Sequence, residues 1–205
     1  MDTTVMEINS NVPVRNAPPC FFYGSLMESN VLNAVTRPKP DAELFSARAS
    51  IKRISMGTRK DLKPICLYLQ GYTRYTYHNQ PFPGMIPSDD AEEIVEGLLV
   101  FGHSDLERHR LDQFEGPEYP RIVCSVTVHE KVPARFTINK LNDYEPETVM
   151  DAFVYVFKGP IEHLDLKRPW DYEAFKQEHV LAWMTADATF KSMVERTENR
   201  ILLQS

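Results

Sequence analysis

Cys20-Phe21-Phe22-Tyr23-Gly24-Ser25-Leu26 is the stretch on which the fold turns. Its run from Cys20 to Tyr23 is apolar without polar alternation, the pattern of a short buried strand, and Gly24 stops it at a sharp turn. Beyond the turn, Ser25 or Ser29 is placed to cap a helix in which Val31, Leu32 and Val35 recur at helical spacing until Pro38 ends it. The order is therefore strand, tight glycine loop, short helix. Such a loop has a chemical use. Glycine lets the backbone approach a ligand closely, and free N–H groups beside a helix start attract an anion such as a carboxylate. The same residues also serve as an ordinary turn with a helix cap. Upstream, residues 1–19 hold Asn, Pro and Ser without periodicity and read as a flexible tail.

Downstream, Ala42 to Gly71 is mostly strand-like, with a charged loop over Thr58 to Pro64. Tyr72, Tyr75 and Tyr77 mark another strand, and the prolines from Pro81 to Pro87 mark a turn or surface loop. Ile94 to Phe101 reads as a strand whose Gly97 signals close approach of another backbone. Ser104-Asp105-Leu106-Glu107 is a capping-box pattern, so a helix follows, with Leu106, His109 or Arg110, Leu111 and Phe114 on its inner stripe and Gly116-Pro117 as its stop. Ile122 to Val128 and Ala152 to Phe157 are strands, and the charged residues 130–148 between them form a hairpin excursion. Trp170 to about Arg196 carries Phe175, Trp183, Ala186, Phe190 and Val194 near helical spacing, which predicts one or two helices. Strands outnumber helices, an α+β architecture.

Phe114-Glu115-Gly116-Pro117-Glu118-Tyr119-Pro120-Arg121 holds the second informative group. Glu115 stands where helix pattern gives way to strand pattern, behind an apolar Phe114. Burial there raises a carboxyl pKa toward neutrality, as a general acid or base requires. A glutamate near a helix end is also commonly just a solvated charge. Glu118 is a surface charge or an ion-pair partner of Arg121 or Arg108, and Tyr119 and Tyr155 fit equally as core aromatics whose hydroxyls find partners.

The net charge of −6 argues against a nucleic-acid partner, which would select a basic face. No apolar run of about 18 residues is present to span a membrane, and no basic stretch leads into an apolar one at the start. Cys20, Cys66 and Cys124 fit neither a disulfide framework nor a zinc spacing, and His103 and His109 share no ligand spacing with a third candidate. No metal is therefore expected, and a reducing, cytoplasmic location is the simplest inference. Ser25 as a hydrolase nucleophile lacks the Gly-x-Ser-x-Gly elbow.

The series Tyr-Gly-Ser-Leu-Met, Pro-Gly-Met-Ile-Pro, Gly-Leu-Leu-Val-Phe, Leu-Asp-Gln-Phe-Glu-Gly, Tyr-Pro-Arg and Ala-Phe-Val-Tyr-Val-Phe occurs in that order. In it the chain resembles the gamma-glutamylcyclotransferase-like superfamily, particularly its avirulence-induced-gene-like branch, over roughly residues 20–185. The resemblance implies a small mixed β-barrel flanked by helices with a pocket at one end. The chain would then divide into a tail over 1–19, a barrel domain over 20–160 and a helical C-terminal extension over 161–205 packed on the barrel. It implies that Glu115 is the catalytic acid/base, that the turn Tyr23, Gly24, Ser25 and Leu26 holds a glutamyl carboxylate through backbone N–H groups, and that Tyr119 and Tyr155 line the pocket. Arg121 matches an arginine of structural role. The tail, the Thr58 to Pro64 excursion, residues 130–148 and the C-terminal helices enlarge the minimal fold.

The reaction so implied is an intramolecular aminolysis of a small-molecule γ-glutamyl compound, releasing 5-oxoproline and an amine or amino acid. It needs no cofactor, because the nucleophile belongs to the substrate and the enzyme supplies orientation and proton transfer. Two other classes stay open: a non-catalytic member binding a small molecule or a protein through the same pocket, and a serine acyl-hydrolase acting through Ser25.

Overall fold

The computed structural model describes residues 17–52, 71–90, 92–137, 142–186 and 188–202. Through these the chain forms strands β1 (Cys20–Phe22), β2 (Phe45–Lys52), β3 (Gly71–Tyr77), β4 (Pro83–Ser88), β5 (Ile94–Phe101), β6 (Arg121–Val128), β7 (Thr148–Tyr155) and β8 (Leu164–Pro169). The helices are α1 (Ser29–Thr36), α2 (Asp105–Glu115), α3 (Tyr172–Ala174), α4 (Val180–Ala186) and α5 (Ala188–Leu202), with a π turn over Phe175–His179 between α3 and α4. Most of residues 1–19 and the stretch Thr58 to Pro64 lie outside the described residues.

Five strands close a barrel in the order β1-β5-β2-β6-β7. All pairs are antiparallel except the closing one, β1 with β7, where Cys20 meets Phe153 and Phe21 meets Val154. Because side chains alternate across a strand, Phe21, Leu99 and Val154 point into the barrel while Cys20, Phe22, Val100 and Tyr155 point out. The outward set does not meet water. It packs against α1, α2 and the C-terminal helices through Leu26, Val31, Leu111, Phe114, Trp183 and Phe190. A strand buried on both faces needs no polar alternation, which is why Cys20–Tyr23 reads as a continuous apolar run. Gly97 permits this closure: a Cβ there would lie 2.3 Å from the Phe22 carbonyl oxygen and 2.6 Å from Phe21 Cζ.

A second sheet, β4-β3-β8, contributes Tyr72 and Met85 to the core inside the barrel. Two expectations are corrected here. The proline-rich Pro81 to Pro87 segment is not merely a turn, since Pro83–Ser88 forms strand β4 on β3, with Thr76 opposite Pro83 and Tyr72 opposite Pro87. Proline lacks the N–H a central strand must donate, but β4 is an edge. Pro83 and Pro87 share parity with Met85, whose carbonyl faces away from β3 and accepts from Phe157 N–H at 3.0 Å. Their missing N–H groups thus fall on the side that β3 does not use. The 161–205 extension is likewise not wholly helical. Leu164–Pro169 is a strand on β3, because the Leu-Asp-Leu-Lys alternation suits the open edge that β3 would otherwise leave, and Trp170 N–H continues the pairing to Arg74 O at 3.2 Å.

The capping box forms as the sequence predicts: Ser104 Oγ accepts from Glu107 N–H, and Glu107 Oε2 accepts from Ser104 N–H at 2.6 Å. The 130–148 excursion is pinned at its base by reciprocal bonds between Val132 and Tyr144.

Candidate functional site

The turn after β1 is a single 3-10 turn over Ser25–Met27. Gly24 has φ −125, so it is not needed for a left-handed backbone. Proximity requires it instead, because a Cβ would lie 2.9 Å from Pro83 Cγ, so the turn packs directly on β4. Met27 N–H bonds Gly24 O and Glu28 N–H bonds Ser25 O. Among the described residues, the N–H groups of Gly24, Ser25 and Leu26 and the Ser25 hydroxyl have no protein partner. Three backbone donors are therefore left for a ligand.

α2 ends at Glu115 because Gly116 turns the chain with φ +72, its N–H still bonded to Asp112 O at 3.1 Å. The same break returns Tyr119 to the cavity wall. A cavity of about 390 Å³ lies between α2 and the β1 turn, and its lining includes Tyr23, Gly24, Ser25, Leu26, Glu115, Tyr119 and Tyr155. All seven residues singled out in the sequence thus meet at one place, although they come from three separate segments. Tyr77, Gln80, Phe82, Pro83 and Met193 also line it, and sequence reasoning misses them as site residues. The first four sit on the β3–β4 hairpin, whose prolines read in sequence as a surface loop. Met193 arrives on α5 through tertiary packing, with α5 docked on α2 and Phe190 against Phe114 at a ring separation of 6.2 Å.

The cavity's polar groups differ in what they are free to do. Tyr23 Oη donates to the Tyr155 carbonyl at 2.6 Å, Tyr119 Oη to the Pro83 carbonyl at 3.2 Å, and Tyr155 Oη to Asp112 Oδ1 at 2.8 Å. Burial holds all three phenols well above their usual range, so they stay neutral and brace the wall. Glu118 pairs with His163 Nδ1 at 3.2 Å and accepts from Tyr77 Oη at 3.3 Å. It is not the partner of Arg121 or Arg108. Arg121 instead grips Asp112 with two nitrogens, at 3.0 and 3.1 Å, and lies over the Phe153 ring. Arg108 pairs with Asp105 at 2.6 Å and donates to the His103 carbonyl.

Among the cavity's phenols and carboxyls, Glu115 is the exception. Among the described residues its carboxyl makes no hydrogen bond and no ion pair. Its pKa is pushed up to about 8, first by desolvation and second by the Asp112 charge one helical turn earlier. The site therefore combines a carboxyl that can take or give a proton near neutral pH with three unpaired backbone donors.

A family model described as gamma-glutamyl cyclotransferase, AIG2-like, matches residues 20–174. Protein AIG2 C of Arabidopsis thaliana is 26% identical over 64% of this chain and 67% of its own length. AIG2-like protein B of the same plant is 23% identical over 87% of this chain and 79% of its own. A solution structure of another Arabidopsis thaliana protein superposes with a TM-score of 0.48 at 19% identity, covering 87% of this chain and 91% of that one. The family match begins at the first barrel strand and runs through all eight strands and both cavity-forming turns. The chain belongs to the gamma-glutamyl cyclotransferase, AIG2-like family.

Proposed function

We propose that the protein is a cyclotransferase that converts a γ-glutamyl compound to 5-oxoproline and a free amine, with Glu115 as general acid/base. The observation that carries this reading is the unpartnered, desolvated Glu115 carboxyl in a cavity shared with the unpaired N–H groups of Gly24, Ser25 and Leu26. The substrate's α-carboxylate binds those N–H groups. Glu115, as carboxylate, takes one proton from the α-ammonium, and the freed amine attacks the γ-carbonyl to form a five-membered tetrahedral intermediate. Glu115 then gives that proton to the leaving nitrogen as its C–N bond breaks, and takes the second proton from the ring nitrogen. The released amine carries the surplus proton away as an ammonium ion, which resets the carboxylate. Glu118 is poorly suited to this work, because His163 and Tyr77 already engage it.

A pKa near 8 leaves about a tenth of free Glu115 ionised at pH 7. Bound α-ammonium favours the carboxylate and lowers that value. The expected result is a kcat/KM that climbs with pH toward 8, with the limb in kcat at lower pH, since the first reports free enzyme and the second the complex. Because Asp112 raises the Glu115 pKa, Asp112→Asn should move the kcat/KM limb to lower pH. A limb unmoved by that change would remove Glu115 from the titration.

The acyl-hydrolase alternative makes Ser25 the nucleophile, whereas here the turn acts through its backbone. Ser25→Ala should therefore leave kcat within about threefold of wild type, the loss of at most one hydroxyl contact. A dead Ser25→Ala with intact fold would favour the hydrolase.

A further inference from the structure

Gln80 is held in place more firmly than a loop glutamine needs to be. It sits in the β3–β4 turn, just after Asn79, which adopts φ +58. Gln80 N–H bonds Tyr77 O at 3.1 Å, and Tyr77 N–H bonds Phe82 O at 3.2 Å to close the hairpin. Between them, the Pro81 carbonyl is held by the Trp170 indole N–H at 2.8 Å. Both ends of the turn are thus fixed, and the Gln80 side chain lies along the cavity wall. Its Oε1 is buried and has no hydrogen-bond partner. Leaving such an acceptor unpaired is unfavourable, and a bound donor would relieve it. The terminal torsion of glutamine is broad, so the amide can reorient without moving the hairpin.

Most of the other groups at the cavity are already committed. The Gly24–Leu26 N–H groups suit a carboxylate, and Glu115 is occupied with proton transfer. The tyrosine hydroxyls already donate to protein atoms. Besides the α-ammonium, which Glu115 engages, a γ-glutamyl amide brings a donor at the reacting bond itself, the N–H of its scissile amide, and that N–H must be oriented for the nitrogen to leave. We infer that Gln80 is a positioning residue that accepts a hydrogen bond from the scissile amide N–H and so turns the leaving nitrogen's lone pair toward Glu115. This rests on the cyclotransferase reading above, and it adds a specificity: amides bearing an N–H are preferred over N-alkylated amides, which have none.

The test compares a γ-glutamyl alkylamide with its N-methyl counterpart, each with wild type and with Gln80→Ala. Turnover is read as 5-oxoproline, and binding is read by calorimetry on Glu115→Gln with and without Gln80→Ala. Intrinsic differences between the two amides cancel in the ratio of ratios. Gln80→Ala should lower kcat/KM for the N–H amide by about tenfold, the worth of one well-placed hydrogen bond. It should leave the N-methyl amide nearly unchanged, so that discrimination collapses. Gln80→Asn, too short to reach, should behave like Gln80→Ala. Equal losses on both amides would mark Gln80 as merely structural and overturn the inference, as would no loss on either. Turnover with an unchanged ratio defeats Gln80 alone. Absence of both 5-oxoproline and calorimetric binding in wild type and Glu115→Gln would defeat the cyclotransferase reading, and this inference with it.

Discussion

Glu115→Gln is expected to fold, to bind γ-glutamyl ligands and to lose turnover by about 10²–10⁴-fold, the usual contribution of a positioned acid/base. Gln is nearly isosteric and keeps the packing of the α2 terminus, but it cannot shuttle a proton. The same substitution carries a stability signature with a definite sign. Glu115 has a folded pKa of about 8 against an ordinary value near 4.5. Between those values the folded state binds the proton that the unfolded state has released, so stability falls as pH rises through this window. Above pH 8 the wild-type protein carries a half-buried, unpaired carboxylate that Gln does not. Glu115→Gln should therefore melt higher than wild type at pH 9, by on the order of 5 °C for a chain of this size. The difference should vanish only below the ordinary value, by about pH 4, where the carboxyl is protonated in the folded and the unfolded chain alike. Thermal melts at the two pH values check this independently of any substrate. Equal melting temperatures at pH 9 would mean that the carboxyl is solvated and poorly suited to act as base.

Gly97→Ala is the second large effect. The added Cβ would lie 2.3 Å from the Phe22 carbonyl oxygen, a backbone atom, and 2.6 Å from the Phe21 ring. Neither can yield cheaply, because Phe21 fills the barrel interior and Phe22 is paired opposite Leu98. Overpacking of this kind costs about 3 kcal/mol or more, which lowers Tm by roughly 10 °C. Relief requires β1 to move away from β5, and β1 leads directly into the Tyr23–Leu26 turn. A soluble Gly97→Ala should accordingly lose ligand affinity as well as stability, measurable by calorimetry beside the melts. A melt within 2 °C of wild type would contradict the close approach of β1 and β5.

Local chemistry makes part of this molecule legible in its sequence. The Ser104–Glu107 capping box, the Gly116 stop and the close approach at Gly97 depend on neighbours in sequence or on the missing Cβ of glycine, and each stands where the pattern places it. Cys20–Tyr23 announces a buried strand because both its faces are covered. Strand β4 is hidden because proline opposes strands in general, and only its position at a sheet edge, a property of the whole sheet, removes the conflict. β8 is obscured in the same way, since a short, largely exposed alternation becomes a strand only when β3 offers an edge. At the site, Glu115 and the Gly24 turn stand out through their residue types and the breaks beside them. Tyr77, Gln80 and Met193 carry no such signal, because an ordinary tyrosine, glutamine or methionine becomes a cavity wall only through long-range packing.

Whether Glu115 drives cyclisation of a γ-glutamyl compound is read most directly from the product. Wild type and Glu115→Gln are incubated with a panel of γ-glutamyl amides, γ-glutamyl amino acids and glutathione, and 5-oxoproline is followed by mass spectrometry. The expected result is enzyme-dependent 5-oxoproline from at least one panel member with wild type and its near absence with Glu115→Gln. Equal 5-oxoproline release by the two proteins, or none from any panel member with wild type, would contradict the account.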